Sequence, residues 1–429
     1  MGPDGTAGVV ALTVRIERLA TGGDGVGHLD DGRVVFVPRT APGDLVEVDR
    51  RRDHRRHARA RLARLVEPGM GRVEPVCPHY TADDCGGCQF QHLDLPTQLS
   101  AKRTIVTDAV TRLARLEAPV APVEAAPDPW RYRSRVTLAV SPGRRHAGFH
   151  PLDQPNRVFP LESCAIAQTG VRQLWTALRP HIHLVPGTAK TLMLRLDRDG
   201  RRHVVVRDEG SQVWDRGPAL ARAMSGSIPD LSVWWQPPKG AARVTGGGSE
   251  PFPATVFEQV HPVMGDRIRA YAVSELGDIS DRHVWDLFAG IGETSQQLLA
   301  GGATVESVEL DRRAVDLAER RSGVAVTTQR PGANSPVRRH VGRVEELAGR
   351  LRRADAVIAN PPRGGLETGA VEALVSRPAR RLVYVSCDPA TLARDLVRLS
   401  AVYRLTQVQP FDMFPQTAHV ETVAVLEAL

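Results

Sequence analysis

From about residue 255 to residue 429 the chain alternates short β-branched and aromatic runs with helical patterns, and this alternation constrains the fold more than any other feature. Strands are expected at 283–288, 303–309, 355–359, 381–386, 403–409 and 420–427, and helices at 293–300, 312–322, 367–376 and 390–400. Such succession implies a mostly parallel, doubly wound sheet whose ligands bind beyond the carboxyl ends of the strands. Functional residues are therefore sought where expected strands end.

The upstream half has a different rhythm. Residues 10–66 carry short apolar strands, Leu12–Ile16, Val34–Val37 and the alternating Leu45–Val48, with glycines at 22, 23, 25 and 27 as turns or close approaches. Spacing of this kind suggests a small barrel of the OB type. Eight arginines between Arg50 and Arg64 make either a solvated strand pair or an RNA-facing surface. After Pro68 comes a loop with Cys77, Cys85 and Cys88, then a helical pattern over 99–116. Residues 130–245 read mostly as strands and turns, and Gly246-Gly247-Gly248-Ser249 as a linker. The expected division is 1–67, 68–250 and 251–429, which a chain of 429 residues readily accommodates.

Net charge is +7, and only three of the 56 lysine and arginine residues are lysine, a balance that suits a polyanionic partner. No apolar run approaches a membrane span and no basic-then-apolar leader opens the chain, so a cytoplasmic, non-membrane protein is expected. No protein partner is implied, and a monomer is expected. Five cysteines, an odd number, argue against a fully paired disulfide framework.

Five groups of residues carry chemistry. In Ser386-Cys387-Asp388-Pro389 the cysteine follows a buried-strand pattern and precedes an N-cap with proline at the first helical position. Amides at a helix start favour an anion, so the Cys387 thiol is expected to ionise more readily than usual and serve as a nucleophile. Asp286-Leu287-Phe288-Ala289-Gly290-Ile291-Gly292 ends one strand and Glu309 the next. That suits a nucleoside cofactor such as S-adenosylmethionine, the acid meeting ribose hydroxyls. Asn360-Pro361-Pro362-Arg363 leaves a third strand, and alone it fits base N-methylation as well as anything else. Glu421 opens a final apolar strand, where desolvation raises a carboxylate's pKa towards that of a base; His419 shares its face if the strand begins that early. Cys77, Cys85 and Cys88 with the distant Cys164 provide thiolates for a [4Fe-4S] cluster or zinc, with His79 and His92 as further zinc candidates.

Together these motifs, with Phe257-Glu258-Gln259-Val260 and Asp412-Met413-Phe414-Pro415, resemble the uridine C5 RNA methyltransferase family, in its branch with a TRAM domain and an iron–sulfur cluster. The resemblance implies a multidomain α/β protein: an OB-like TRAM barrel, a central α+β domain with the cluster loop, and a C-terminal doubly wound, Rossmann-like methyltransferase domain. It implies Cys387 as nucleophile at C6 of uracil and Glu421 as base. Gln259, Phe288, Gly290, Glu309 and Asn360 would meet S-adenosylmethionine, and Cys77, Cys85, Cys88 and Cys164 the [4Fe-4S] cluster. The target would be a base flipped from RNA, 23S rRNA foremost, with tRNA or a non-catalytic RNA-binding role as alternatives. The chain departs from the family at Asn360, where Asp is usual, and at Asp388, where Asn is usual; Glu293 and His261 also stand where Asn is common.

Overall fold

Alternation at period two builds the first unit. In the computed structural model, which describes residues 12–144, 146–248, 254–322 and 336–429, the barrel strands are Leu12–Arg15 (β1), Arg18–Leu19 (β2), Gly25–His28 (β3), Val34–Val37 (β4), Leu45–Asp53 (β5) and His57–Glu67 (β6). They pair in the order β1-β5-β6-β4-β3-β2. The two edges, β1 and β2, are separated in the chain only by Ile16 and Glu17, so the sheet curls until they meet. Val14, Ile16, Val35, Val37, Val46 and Val48 fill the interior, while Glu47 turns outward to Arg64. In the arginine ribbon Arg51, Arg59 and Arg64 pair with Asp53, Asp24 and Glu47, and Arg52, Arg55 and Arg56 stand exposed beside them.

The second sheet comprises Arg135–Val140 (β7), Ala147–Phe149 (β8), Phe159–Pro160 (β9), Ala189–Leu196 (β10), Arg202–Asp208 (β11), Leu231–Gln236 (β12) and Arg243–Gly247 (β13). Its order is β13-β12-β11-β10-β7-β8-β9. The helices Thr169–Leu178 and Gly217–Ser225 bury Leu174, Trp175, Leu220 and Met224 against Leu192, Leu194, Val204 and Val206. The glycine run expected as a linker is instead partly strand: Gly246 and Gly247 pair with Val233 and Ser232. A Cβ at Gly246 would lie 2.7 Å from the Gly217 carbonyl, so the glycines admit a helix against the sheet edge. Ser249 and the boundary expected at 250 lie outside the described residues.

The third sheet is the doubly wound one. His283–Leu287 (β14), Thr304–Glu309 (β15), Val337–Val341 (β16), Ala356–Ala359 (β17), Arg381–Ser386 (β18), Tyr403–Phe411 (β19) and Glu421–Ala428 (β20) pair in the order β16-β15-β14-β17-β18-β20-β19. All pairs are parallel except those of β20, which runs antiparallel between β18 and β19. Sequence expectations lacked β16, whose Val-Arg-Arg-His-Val fully buries only Val337, and the helix Pro262–Ser274, N-capped by His261. A polar edge strand carries little apolar periodicity to read.

The helix expected at 99–116 runs from Leu95 to Asp108 and ends in a wider turn over Ala109–Leu113. Asp94 sets its start, accepting a hydrogen bond from the Thr97 amide at 2.9 Å, with Pro96 in the first turn. Its Val106, with Val110 and Val120, belongs to the core that includes Tyr384, Leu392 and Val408. Residues 119–124 then cover the edge of β19, the Ala121 amide donating to Val408 at 2.9 Å and the Glu124 amide to Pro410 at 3.0 Å. Packing thus places Val106, Val110 and Val120 in the core of the third sheet, while β7 and β10 to β12 carry a separate core of their own. Among the described residues no helix is long and apolar enough to cross a membrane.

Lys102 of this helix is fully buried and pairs with the equally buried Asp412, while its Nζ also donates to the Phe414 carbonyl at 3.0 Å. Removing one partner strands a buried charge. Lys102→Met is expected to lower unfolding free energy by about 3–5 kcal/mol in chemical denaturation, and adding Asp412→Leu to recover most of the loss. A double variant no more stable than the single one would show that the pair does not hold this contact.

Candidate functional site

Four strands of the third sheet end on the same edge, and each delivers one of the expected motifs. β14 leads to Phe288, which takes φ +63° although it is not glycine. A bulky residue in that region is strained and persists where its surroundings over-determine it. The Ala289 amide donates to Val308 at 3.0 Å and the Gly290 amide to Glu309 Oε2 at 2.8 Å, so the turn is folded onto the end of β15. Glu309 Oε1 accepts from the Asp311 amide at 2.8 Å, which orients the carboxylate while each oxygen keeps a lone pair for a hydroxyl. Gly292, at φ +79°, opens the helix Glu293–Ala300. Beneath the turn, burial pushes Asp286 up to about 6, partly offset by the Ser295 hydroxyl that donates to it. From β17, the Asn360 amide donates to Leu287 at 3.2 Å, setting Asn360 beside the glycine turn. Gln259 is half-buried on the segment 254–260, whose Val256 packs on Ile291 of that turn.

Cys387 and Glu421 are brought together by register. Antiparallel pairing of β18 with β20 sets Ser386 against Thr422, which places Cys387 next to Glu421 at the following position. Asp388 Oδ1 accepts from the Thr391 amide at 2.8 Å, so the expected N-cap forms and its carboxylate is engaged by backbone. The expectation of a more acidic thiol does not hold. Burial raises the half-buried Cys387 above its ordinary value and the Glu421 carboxylate adds to the rise, while Arg363 opposes both through its charge and a hydrogen bond. Glu421 is 2% exposed, and burial pushes it up to about 7 against the pull of Arg363. His419 does not share its face: β20 begins at Glu421, and His419 is exposed while Val420 and Glu421 are both buried. Arg363 has no signal in the sequence beyond its place after Asn360-Pro361-Pro362; only its approach to both Cys387 and Glu421 reveals it.

Arg363 and His419 also line a cavity of about 460 Å³ that contains Cys77, Cys85, Cys88 and Cys164, together with Arg133 and Arg135. Burial, and then the neighbouring thiols, push Cys85 up to about 11 and Cys88 up to about 12, and burial raises Cys164. Thiols so placed are neutral unless a cation compensates their thiolates. Among the described residues no group of three or more His, Cys, Asp or Glu has metal-holding geometry. The donor set suits a thiolate-bound group, but the side chains do not form a closed ligand cage. Neither histidine candidate is free: His79 contacts Asp83 at 2.7 Å and accepts from the Glu162 amide at 3.1 Å, and His92 bonds Tyr80 at 2.6 Å and Thr40 at 3.1 Å.

Comparison with known proteins places the chain in a family. A model of the tRNA (uracil-5-)-methyltransferase family matches residues 333–429, and a TRAM domain model matches residues 11–63. An uncharacterised RNA methyltransferase of Thermosynechococcus vestitus is 31% identical over 97% of each chain, and one of Gloeobacter violaceus is 32% identical over 97% of this chain and 96% of its own. A 23S rRNA (uracil(1939)-C(5))-methyltransferase of Shewanella halifaxensis is 28% identical over 97% of this chain and 95% of its own. The fold matches that of the Pyrococcus abyssi tRNA (uracil-54, C5)-methyltransferase with a TM-score of 0.69 at 23% identity, covering 96% of this chain and 99% of the other. With its TRAM barrel, its doubly wound sheet and relatives aligned end to end, this chain belongs to the S-adenosylmethionine-dependent uridine C5 RNA methyltransferase family.

Proposed function

We propose that this protein methylates C5 of a uridine in RNA, with 23S rRNA as substrate, acting as a cytoplasmic monomer. The observation that carries the reading is the nearness of Cys387 to Glu421, one position beyond the Ser386–Thr422 pair that ends the antiparallel register of β18 and β20, at the edge where the glycine turn and Glu309 lie. S-adenosylmethionine supplies the methyl group. Gln259, Phe288, Gly290, Glu309 and Asn360 hold it. The Cys387 thiolate adds to C6 of uracil, breaking the C5–C6 double bond and moving its electrons into an enolate. C5 takes the methyl group as its bond to the sulfonium sulfur breaks and S-adenosylhomocysteine leaves, the Glu421 carboxylate removes the C5 proton, and the thiolate leaves C6 as the double bond re-forms. Arg363 favours the thiolate form of Cys387.

The thiols of Cys77, Cys85, Cys88 and Cys164 hold a [4Fe-4S] cluster in this reading, supported by their common cavity. Bound iron supplies the positive charge that stabilises the buried thiolates. Aerobically and anaerobically purified protein is expected to contain iron and sulfide, both lost in Cys85→Ser; zinc without iron would overturn this assignment.

Incubation with 5-fluorouridine RNA and S-adenosylmethionine is expected to give a denaturation-resistant adduct, absent in Cys387→Ala. With unmodified RNA, Glu421→Gln should accumulate adduct rather than release methylated product. Methyl transfer without any adduct would exclude the thiolate route, and a product methylated on an exocyclic nitrogen would favour the Asn360-Pro361-Pro362 reading.

Activity should rise with pH through about 7, since both the thiolate and the Glu421 carboxylate become populated in that direction. Stability moves oppositely. A carboxyl raised in the folded state favours its protonated form there, so its contribution is complete below the ordinary carboxylate range and is lost as pH rises through about 7. Glu421→Gln should therefore be more stable than the parent by on the order of 3 kcal/mol at pH 8, and no more stable at pH 4. Equal unfolding free energies at pH 8 would refute a desolvated Glu421.

A further inference from the structure

Residues 254–260, a turn followed by irregular backbone, form a strap leading into the helix Pro262–Ser274. Ala254, Val256, Glu258 and Val260 are buried, while Thr255 and Gln259 are half-buried and Phe257 is exposed, an alternation at period two. The buried edge of the strap is held by the second sheet. Arg195 of β10, only 2% exposed, donates through Nη1 to the carbonyls of Ala254 and Val256, each at 2.6 Å, and through Nη2 to Glu258 at 2.5 Å. At the far end, the amide and hydroxyl of Ser134 donate to the Val260 carbonyl at 2.7 and 3.1 Å.

The strap also sits on the cofactor turn. Val256 packs with Ile291 of that turn and with Ala314 and Leu317 of the helix Arg312–Ser322. Arg313 donates to the Thr255 hydroxyl at 3.0 Å. One buried guanidinium therefore grips alternate carbonyls on one side of a seven-residue segment whose other side presents Phe257 and Gln259. A planar fork with several donors satisfies three acceptors at once; an ammonium is a point charge without that geometry.

We propose that Arg195 is a positioning residue for S-adenosylmethionine binding: by fixing the strap, it makes cofactor affinity depend on the second sheet as well as on the methyltransferase sheet. This rests on the methyl-transfer reading and on Gln259 as a cofactor contact. Uniform binding is what such a residue controls, so its loss acts on cofactor affinity more than on turnover at saturation.

The full-length parent, Arg195→Met, Arg195→Lys and Glu258→Gln are compared by calorimetric binding of S-adenosylhomocysteine, by kcat and KM for S-adenosylmethionine, and by RNA affinity. In Arg195→Met, S-adenosylhomocysteine affinity is expected to fall about tenfold or more, with kcat and RNA affinity changed less than about threefold and Arg195→Lys intermediate. Should Arg195→Met not fold, Glu258→Gln, which keeps volume and removes one acceptor charge, is expected to weaken S-adenosylhomocysteine binding several-fold. Folded variants that bind within about twofold of a binding-competent parent overturn the inference alone. A parent that binds no S-adenosylhomocysteine overturns the methyl-transfer reading and the inference with it.

Discussion

The antiparallel register of β20 against β18 is the constraint on which the proposed chemistry depends. Side chains on a strand alternate faces, so a slip by one residue would send Glu421 away from the site and bring Thr422 in its place. The register is held along its whole length, from Arg381 against Glu427 to Ser386 against Thr422, with Leu382, Val383, Tyr384 and Val385 buried against Leu426, Val425, Ala424 and Val423. The same burial that specifies this register also desolvates Glu421. Core packing and the basicity of the carboxylate thus have one cause.

A second layer of contacts holds the loop that feeds β20. The helix Leu95–Asp108 supplies Lys102 to Asp412, and its Gln98 donates to the Gln416 side chain at 3.0 Å and accepts from the Gln416 amide at 3.0 Å. Tyr132 donates to the Pro415 carbonyl at 3.0 Å. Residues 412–417 are therefore fastened by segments more than 250 positions away in the chain. Arg195 and the strap follow the same pattern, a buried polar side chain from an earlier domain gripping backbone beside the methyltransferase sheet.

Much of the third sheet was legible because its strands and helices bury apolar residues at clear periods; the expected helix at 293–300 coincides with the observed one. β16 was not legible, since an edge strand with a single fully buried valine looks like loop. The glycine run at 246–248 misled for the opposite reason: glycine reads as linker, yet two of these residues pair in a strand where a helix leaves no room for a Cβ. The cysteine elbow was legible as an N-cap, through Asp388 and Pro389. Its thiol's acidity was not legible there, because the desolvation and the Glu421 carboxylate that oppose the local amides come from the tertiary structure.

By itself the sequence determined the barrel, the doubly wound sheet, the position of Cys387 at a strand-to-helix elbow and the turn from Phe288 to Gly292, because each follows from periods and caps within a few residues. Only the tertiary structure decided that Glu421 adjoins Cys387 and lies buried, that Arg363 reaches both groups and that the distant Cys164 shares one cavity with Cys77, Cys85 and Cys88. Those facts depend on strand order and on exclusion of water, and neither is a property of any single stretch of chain.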